Sequence, residues 1–287
     1  MKDLTHRDAI VNGVRLHYVE AGEGSLVVLL HGFPEFWYSW RFQIPALASA
    51  GFHVVAPDLR GYNKSAKPIG THQYEIDVLA DDIVGLIRHV GEQSAVVTGH
   101  DWGGAIAWRL AKDHPEVVKR LIILNAPHPA AFRRELGTFG QLWKSWYIFF
   151  FQLPWLPEAA FQAFDYALLE RTLRRDLVHT AIVTEDDIAA YKAAFSEPGA
   201  LTAAINYYRA AARISWRRDS WRSTRIAIPT LVIWGKQDRY LGLALLEGLH
   251  RWVPKLRVET ISNASHWVQM EAHERVNQLM LGFLKES

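Results

Sequence analysis

Continuous apolar runs of β type alternate with amphipathic stretches along most of the chain. LVVLL from Leu26, HVVAP from His53, AVVT from Ala95 and RLIIL from Arg120 are separated by helical patterns such as IDVLADDIVGLIRHV. Runs that are apolar at every position predict strands covered on both faces, and their alternation with helices predicts a mainly parallel sheet between helical layers. Ahead of them, residues 8–20 (DAIVNGVRLHYVE) alternate apolar and polar positions around Asn12-Gly13. That dipeptide tolerates the positive φ of a tight turn, so a two-stranded entry is expected. The rhythm stops at Pro127-His128-Pro129, and from there to Thr224 the sequence is helical, aromatic and Arg-rich, with no convincing strand. It resumes with TLVIW from Thr230 and RVETIS from Arg257, and a final helix puts Val276, Leu279, Met280, Phe283 and Leu284 on one face. The expectation is an α/β core in two parts, 1–128 and 225–287, with a helical cap inserted over 129–224.

Composition narrows the partners. The chain has 287 residues, 49% of them hydrophobic, and its 32 basic and 30 acidic residues leave a net charge of +2 with no polybasic block. Neither nucleic acid nor an anionic membrane is expected as a partner, and the oligomeric expectation is a monomer or homodimer. With no cysteine, disulfides, thiolate metal sites and a cysteine nucleophile are excluded. The opening MKDLTHRDAI has no signal-peptide core, so the cytoplasm is the expected location. WYIFFFQLPWLP from Trp146 is the most apolar stretch. It falls well short of the ~20 residues that a membrane span needs, and reads as a pocket wall or buried helix. Twelve tryptophans are present, clustered toward the middle of the chain.

Candidate chemistry centres on GHDWGG. Gly99-His100-Asp101-Trp102-Gly103 has the spacing of a nucleophile elbow, in which a sharp strand-to-helix turn lifts the central side chain above the carboxyl edge of the sheet. An aspartate at this point also suits a plain helix N-cap. An elbow, however, needs an acid and a histidine at the ends of later strands, in that order, and the chain supplies both. Asp238 follows TLVIW, and His266 follows RVETIS. The chain has 13 histidines, and position at a strand end is what singles out His266. His31-Gly32-Phe33-Pro34 ends the strand LVVLL, where such folds place one oxyanion-hole N–H, here that of Phe33; the other belongs to Trp102. His31, Asp58 and Arg60 read as structural. A carboxylate is ionised at neutral pH and can displace a leaving group from saturated carbon without a base to activate it. The histidine would then activate water against the resulting ester. No metal cluster or phosphate-binding glycine loop is apparent, and no cofactor is expected.

HGFPEFWYSWR, DLRGYNKS, GHDWGG, WGKQDRYL and SNASHW, in this order and with a helical stretch between, resemble the soluble epoxide hydrolases of the α/β-hydrolase superfamily. The resemblance covers essentially the whole chain. It implies an α/β-hydrolase fold with a cap, and hydrolysis of a hydrophobic epoxide to a vicinal diol by Asp101, with Asp238 and His266 activating water. It also implies two cap tyrosines that assist ring opening: Tyr147, four residues before Phe151-Gln152, and Tyr208 in INYYRAA, with Tyr207 beside it. In this family the Phe-Gln pair is commonly followed by Glu-Pro-Gly, where this chain has Leu153-Pro154-Trp155. Phe33, Pro34, Trp102, Tyr147, Tyr208 and Trp267 are the expected substrate contacts. Haloalkane dehalogenases share the Asp elbow but usually carry Asn or Glu in place of Phe33, and fluoroacetate dehalogenases usually carry Arg in place of Trp102. Halide displacement is the alternative reaction, and ligand binding without turnover is the alternative to catalysis. Trp and Tyr are also enriched at protein interfaces, so the aromatic residues suit either a cleft or a docking face.

Overall fold

The computed structural model describes residues 4–214 and 225–286. The last stretch of the expected cap, 215–224, lies outside the described residues. Eight strands form one sheet: β1 (Thr5–Val11), β2 (Val14–Ala21), β3 (Ser25–Leu30), β4 (Phe52–Pro57), β5 (Ala95–His100), β6 (Val118–Leu124), β7 (Thr230–Gly235) and β8 (Leu256–Ile261). Their order across the sheet is β1-β2-β4-β3-β5-β6-β7-β8. β1 and β2 form the expected antiparallel hairpin, turning at Asn12 and Gly13 with φ of 49° and 75°. β2 meets β4 antiparallel, and every later pairing is parallel.

Why the central strands lack alternation is now plain. β3, β5 and β7 are buried along nearly their whole length because helices cover both faces. The helices of the core are α1 (Gln43–Ser49), α2 (Ile76–His89), α3 (Trp102–Asp113), α10 (Val268–Glu271) and α11 (His273–Lys285). α2 buries Leu79, Ile83, Leu86 and Ile87 on one stripe and leaves polar residues such as Asp81 outward. α11 buries Val276, Leu279, Met280 and Phe283 as the sequence pattern requires. Burying such a side chain contributes on the order of 1.5–3 kcal/mol.

Between β6 and β7 the described residues contain helices and no strand: α4 (Pro129–Glu135), α5 (Phe139–Lys144), α6 (Trp146–Phe150), α7 (Leu156–Arg175), α8 (Glu185–Ser196) and α9 (Ala200–Ile214). α7 is two helical pieces joined at Ala163–Tyr166, where Phe164, Asp165 and Tyr166 have φ of 51–58°. A capping box at Thr184 and Asp187 starts α8. Of the two readings of this stretch, pocket wall or buried helix, α6 fits the wall. Tyr147 and the following Phe151 turn inward, while Trp146, Phe149 and Trp155 stay exposed. Its five residues alternate between a wall and an outer face, so the stretch is apolar all round without being buried all round.

His31, Asp58 and Arg60 are structural. The fully buried His31 accepts from the backbone N–H of Leu59 at 3.0 Å. Asp58 accepts from His17, Trp37 N–H and Asn63. Arg60 makes a two-pronged pair with Asp82 of α2, at 2.6 and 2.7 Å, fastening the loop after β4 to that helix.

Candidate active site

β5 hands the chain to α3 through Asp101, whose φ of 49° and ψ of −118° make it a strained non-glycine position. Close approach explains the glycines around it. A Cβ on Gly103 would stand 2.1 Å from the Leu30 carbonyl oxygen, and one on Gly32 would stand 2.4 Å from Asp101 Cβ. Asp101 occupies the N-cap position of α3 but makes no side-chain cap hydrogen bond. Its Oδ1 instead accepts the backbone N–H of Phe33 at 2.9 Å, so the plain N-cap alternative does not describe it. Trp102 is the first residue of α3, which leaves its N–H without an intrahelical acceptor.

The loops after β7 and β8 bring Asp238 and His266 to the same sheet end. His266 Nδ1 donates to Asp238 Oδ2 at 2.8 Å, and its Nε2 faces Asp101 Oδ2 at 3.6 Å. Asp238 is held on several sides: Oδ1 accepts the N–H groups of Tyr240 (2.7 Å) and Leu241 (2.8 Å), and Oδ2 also accepts from Asn125 Nδ2 at 2.7 Å. Burial alone would push the His266 imidazole down. The charge of Asp238, hydrogen bonding with Asp101 and Asp238, and the charge of Asp101 outweigh it and raise the ring to about 10. Burial likewise opposes ionisation of Asp101, but hydrogen bonding to His266, the charges of His266 and His100, and the Phe33 N–H hold it below the ordinary carboxylate range.

The raised imidazole makes a stability prediction. Its contribution is complete below its ordinary value of 6.5, erodes between 6.5 and about 10, and is gone above. Thermal midpoints measured across that window should fall as pH rises, and His266→Gln should flatten the fall; an equally steep decline in the variant would contradict it.

A buried ion pair lies beneath these groups. His100 Nδ1 meets Glu35 Oε2 at 2.8 Å and its Nε2 meets the carbonyl oxygen of His266 at 2.9 Å. Glu35 also accepts from Gly32 N–H and from Gln269 Nε2. Burial works against its charge, yet His100 and the Gly32 N–H keep Glu35 below the ordinary range. One carboxylate thus ties the Phe33 loop, the elbow and the His266 loop together.

Aromatic rings cover the site. Tyr208 stands 5.1 Å from Trp102, 5.5 Å from Phe33, 4.7 Å from Phe151 and 5.9 Å from Tyr147, centroid to centroid. Phe33 meets Phe151, Phe161 and Phe195 edge-on as well. Tyr207 separates cleanly from its neighbour, because its hydroxyl donates to the Arg60 carbonyl at 2.7 Å. Trp267 is buried and meets His266 edge-on at 5.3 Å; Pro34 is buried beside Phe33. Trp155, where a glycine is common in the family that the sequence resembles, adopts a left-handed φ of 50°. Trp155 thus adopts the left-handed backbone that a glycine there would favour. Burial, and then the nearby charge of Asp101, push the phenols of Tyr147 and Tyr208 upward, so both remain protonated donors.

Glu35, His100, Asn125 and Tyr240 escaped the sequence reading. Asn125 directly follows β6, and the strand-end criterion that marked Asp238 and His266 would have found it. Nothing in spacing or periodicity marks Glu35. Among the described residues there is no group of three or more His, Asp or Glu placed to hold a metal ion, and no helix long and apolar enough to cross a membrane.

Comparison with known proteins supplies the family. Residues 25–273 match the model of the α/β-hydrolase fold family. The chain is 40% identical over 285 residues to human epoxide hydrolase 4, covering 96% of this chain and 77% of that one. It is 44% identical over 277 residues to the AB hydrolase superfamily protein YfhM of Bacillus subtilis (strain 168), covering 96% of each. The crystal structure of the Bacillus megaterium epoxide hydrolase with an inhibitor superposes with a TM-score of 0.90 at 38% identity, over 98% of this chain and all of the other. Sheet order, elbow and sequence likeness along nearly the full length agree: the chain belongs to the epoxide hydrolase family of the α/β-hydrolase fold.

Proposed function

We propose that this protein hydrolyses a hydrophobic epoxide to a vicinal diol through an alkyl ester on Asp101, without a cofactor. The observation that carries the reading is the division of labour between the two Asp101 oxygens. Oδ1 rests on the Phe33 N–H, while Oδ2 is free of that donor and faces His266. Oδ2 attacks an epoxide carbon; the C–O bond of the ring breaks as a phenol, Tyr147 or Tyr208, gives its proton to the leaving oxygen. An alkoxide is far more basic than a halide and needs such a donor. Two protonated phenols, beside a Phe33 side chain with nothing to offer a halide, favour the epoxide over the haloalkane.

Ester formation removes the Asp101 charge, one of the influences that raise His266. The imidazolium then yields its proton to the tyrosinate, leaving a neutral base beside Asp238. That base takes a proton from water as the oxygen attacks the ester carbonyl carbon, and Oδ1 becomes the oxyanion, already seated on Phe33 N–H, with the Trp102 N–H as its second donor. One such donor is worth about 3 kcal/mol. Collapse expels the diol with the former Oδ2, its alkoxide taking the carboxylic proton, and the resting ion pair returns. Packed aromatic rings suit an apolar substrate.

A single turnover in heavy-oxygen water, with enzyme in excess, tests the ester. The label is expected in Asp101, with unlabelled diol; label passing directly into the diol would mean that water, not the carboxylate, opens the ring.

A further inference from the structure

α7 runs into Asp176, and both oxygens of that carboxylate reach the loop that follows β7. Arg239 Nη1 lies 3.1 Å from Oδ1, and the Tyr240 phenol donates to Oδ2. Two residues further on, the Val178 N–H donates to Glu271 Oε1 at 2.8 Å. The same carboxylate receives the N–H and hydroxyl of Ser265, the residue before His266. The end of α7 is therefore fastened to the acid's loop and to the base's loop at once.

Tyr240 stands where these contacts meet. Its N–H holds Asp238 Oδ1, while its ring lies 5.4 Å from His266 and 5.5 Å, edge-on, from Tyr147. Tyr147 belongs to the helical insert, whereas Asp101 and His266 belong to the sheet. The distance between donor and nucleophile thus depends on how the insert sits. Of the two links to Asp176, that from Arg239 is weaker, since its side chain is 57% exposed and screened by water. The phenol is half-buried and its bond to a carboxylate is charge-assisted.

We infer that Tyr240 is a positioning residue for ring opening: clasped by Asp176, it registers the helical insert against the Asp238–His266 pair and so holds Tyr147 over Asp101. The inference rests on the alkyl-ester reading. Rapid-quench measurement of a single turnover resolves alkylation of the enzyme from hydrolysis of the ester and gives each step its own rate. Tyr240→Phe keeps the ring and the backbone N–H and removes only the hydroxyl. Its alkylation rate is expected to fall about tenfold, as misplacing a reacting group does, while ester hydrolysis changes by less than about twofold, because its groups all lie on the sheet side. Asp176→Ala should reproduce the loss, and the double variant should be no slower than either single one, since both cut the same link. Should Asp176→Ala fold poorly, Tyr240→Phe alone decides the matter. Alkylation at the unmodified rate, both steps slowed in the same ratio, or additive losses in the double variant would each overturn the positioning role. Absence of any adduct in the unmodified protein would overturn the ester, and the clasp with it; that outcome is distinguishable because it does not require a variant.

Discussion

His266→Gln, given an epoxide, is expected to stop halfway and accumulate as an alkyl-enzyme, with turnover reduced roughly a thousandfold or more. Intact-mass measurement should find one substrate added per chain, on the segment that contains Asp101. The two half-reactions place different demands on the imidazole. Attack on the ring carbon needs an ionised Asp101, and that carboxylate ionises at neutral pH without a base. Hydrolysis needs a proton taken from water, and the only nitrogen facing Asp101 Oδ2 in the described site is His266 Nε2, at 3.6 Å. Glutamine cannot serve as that base. Asp101→Ala is the control and should take up no mass at all. An unmodified His266→Gln protein after long exposure to reactive epoxides would falsify the covalent route.

Removing both phenols should strike the other half. In Tyr147→Phe/Tyr208→Phe the alkylation rate is expected to fall by about two to four orders of magnitude, the range for losing general-acid help. Built on His266→Gln, so that hydrolysis does not intervene, the effect is read directly as the slower growth of the mass-shifted species. Both hydroxyls are buried and feel the charge of Asp101, which keeps them protonated. Phenylalanine preserves the rings, so the packing of Tyr208 on Trp102, Phe33 and Phe151 should survive. Unchanged alkylation kinetics in the double variant would remove the tyrosines from the chemistry.

Residues fixed by backbone position were legible in the sequence. Asp101 and Asp238 follow apolar runs and His266 follows the alternating RVETIS; all three runs are strands of one parallel sheet, and their ends meet at one edge. Phe33 was legible for the same reason, since what it offers is a backbone N–H at a strand end. Tyr147 and Tyr208 were reached only through resemblance, because many residues in the insert are aromatic and helical periodicity does not say which ring points inward. Tyr207 and Tyr208 show the difficulty: adjacent in sequence, one hydroxyl is spent on the Arg60 carbonyl and the other side chain faces the elbow. Glu35 and His100 were invisible because a buried ion pair is defined by who its neighbours are, and those neighbours come from β3, β5 and α10. Which of the two readings of the apolar stretch from Trp146 held, wall or buried helix, composition alone does not decide: apolar composition is evidence of burial only when something packs on every side.

The helical insert departs from β6 and rejoins the chain at β7, and these two strands are hydrogen-bonded neighbours. The two strands run parallel, so the insert leaves at the carboxyl edge of the sheet, where Asp101, Asp238 and His266 lie, and the chain must cross back to the opposite edge before β7 begins. A different helical segment could be grafted between β6 and β7 while the sheet keeps Asp101, Asp238 and His266 at its carboxyl edge. Tyr147, Tyr208 and much of the apolar wall would change with the graft; the Asp238–His266 pair would be inherited intact. In such a fold, what the catalyst accepts and how it releases product are free to evolve at different speeds.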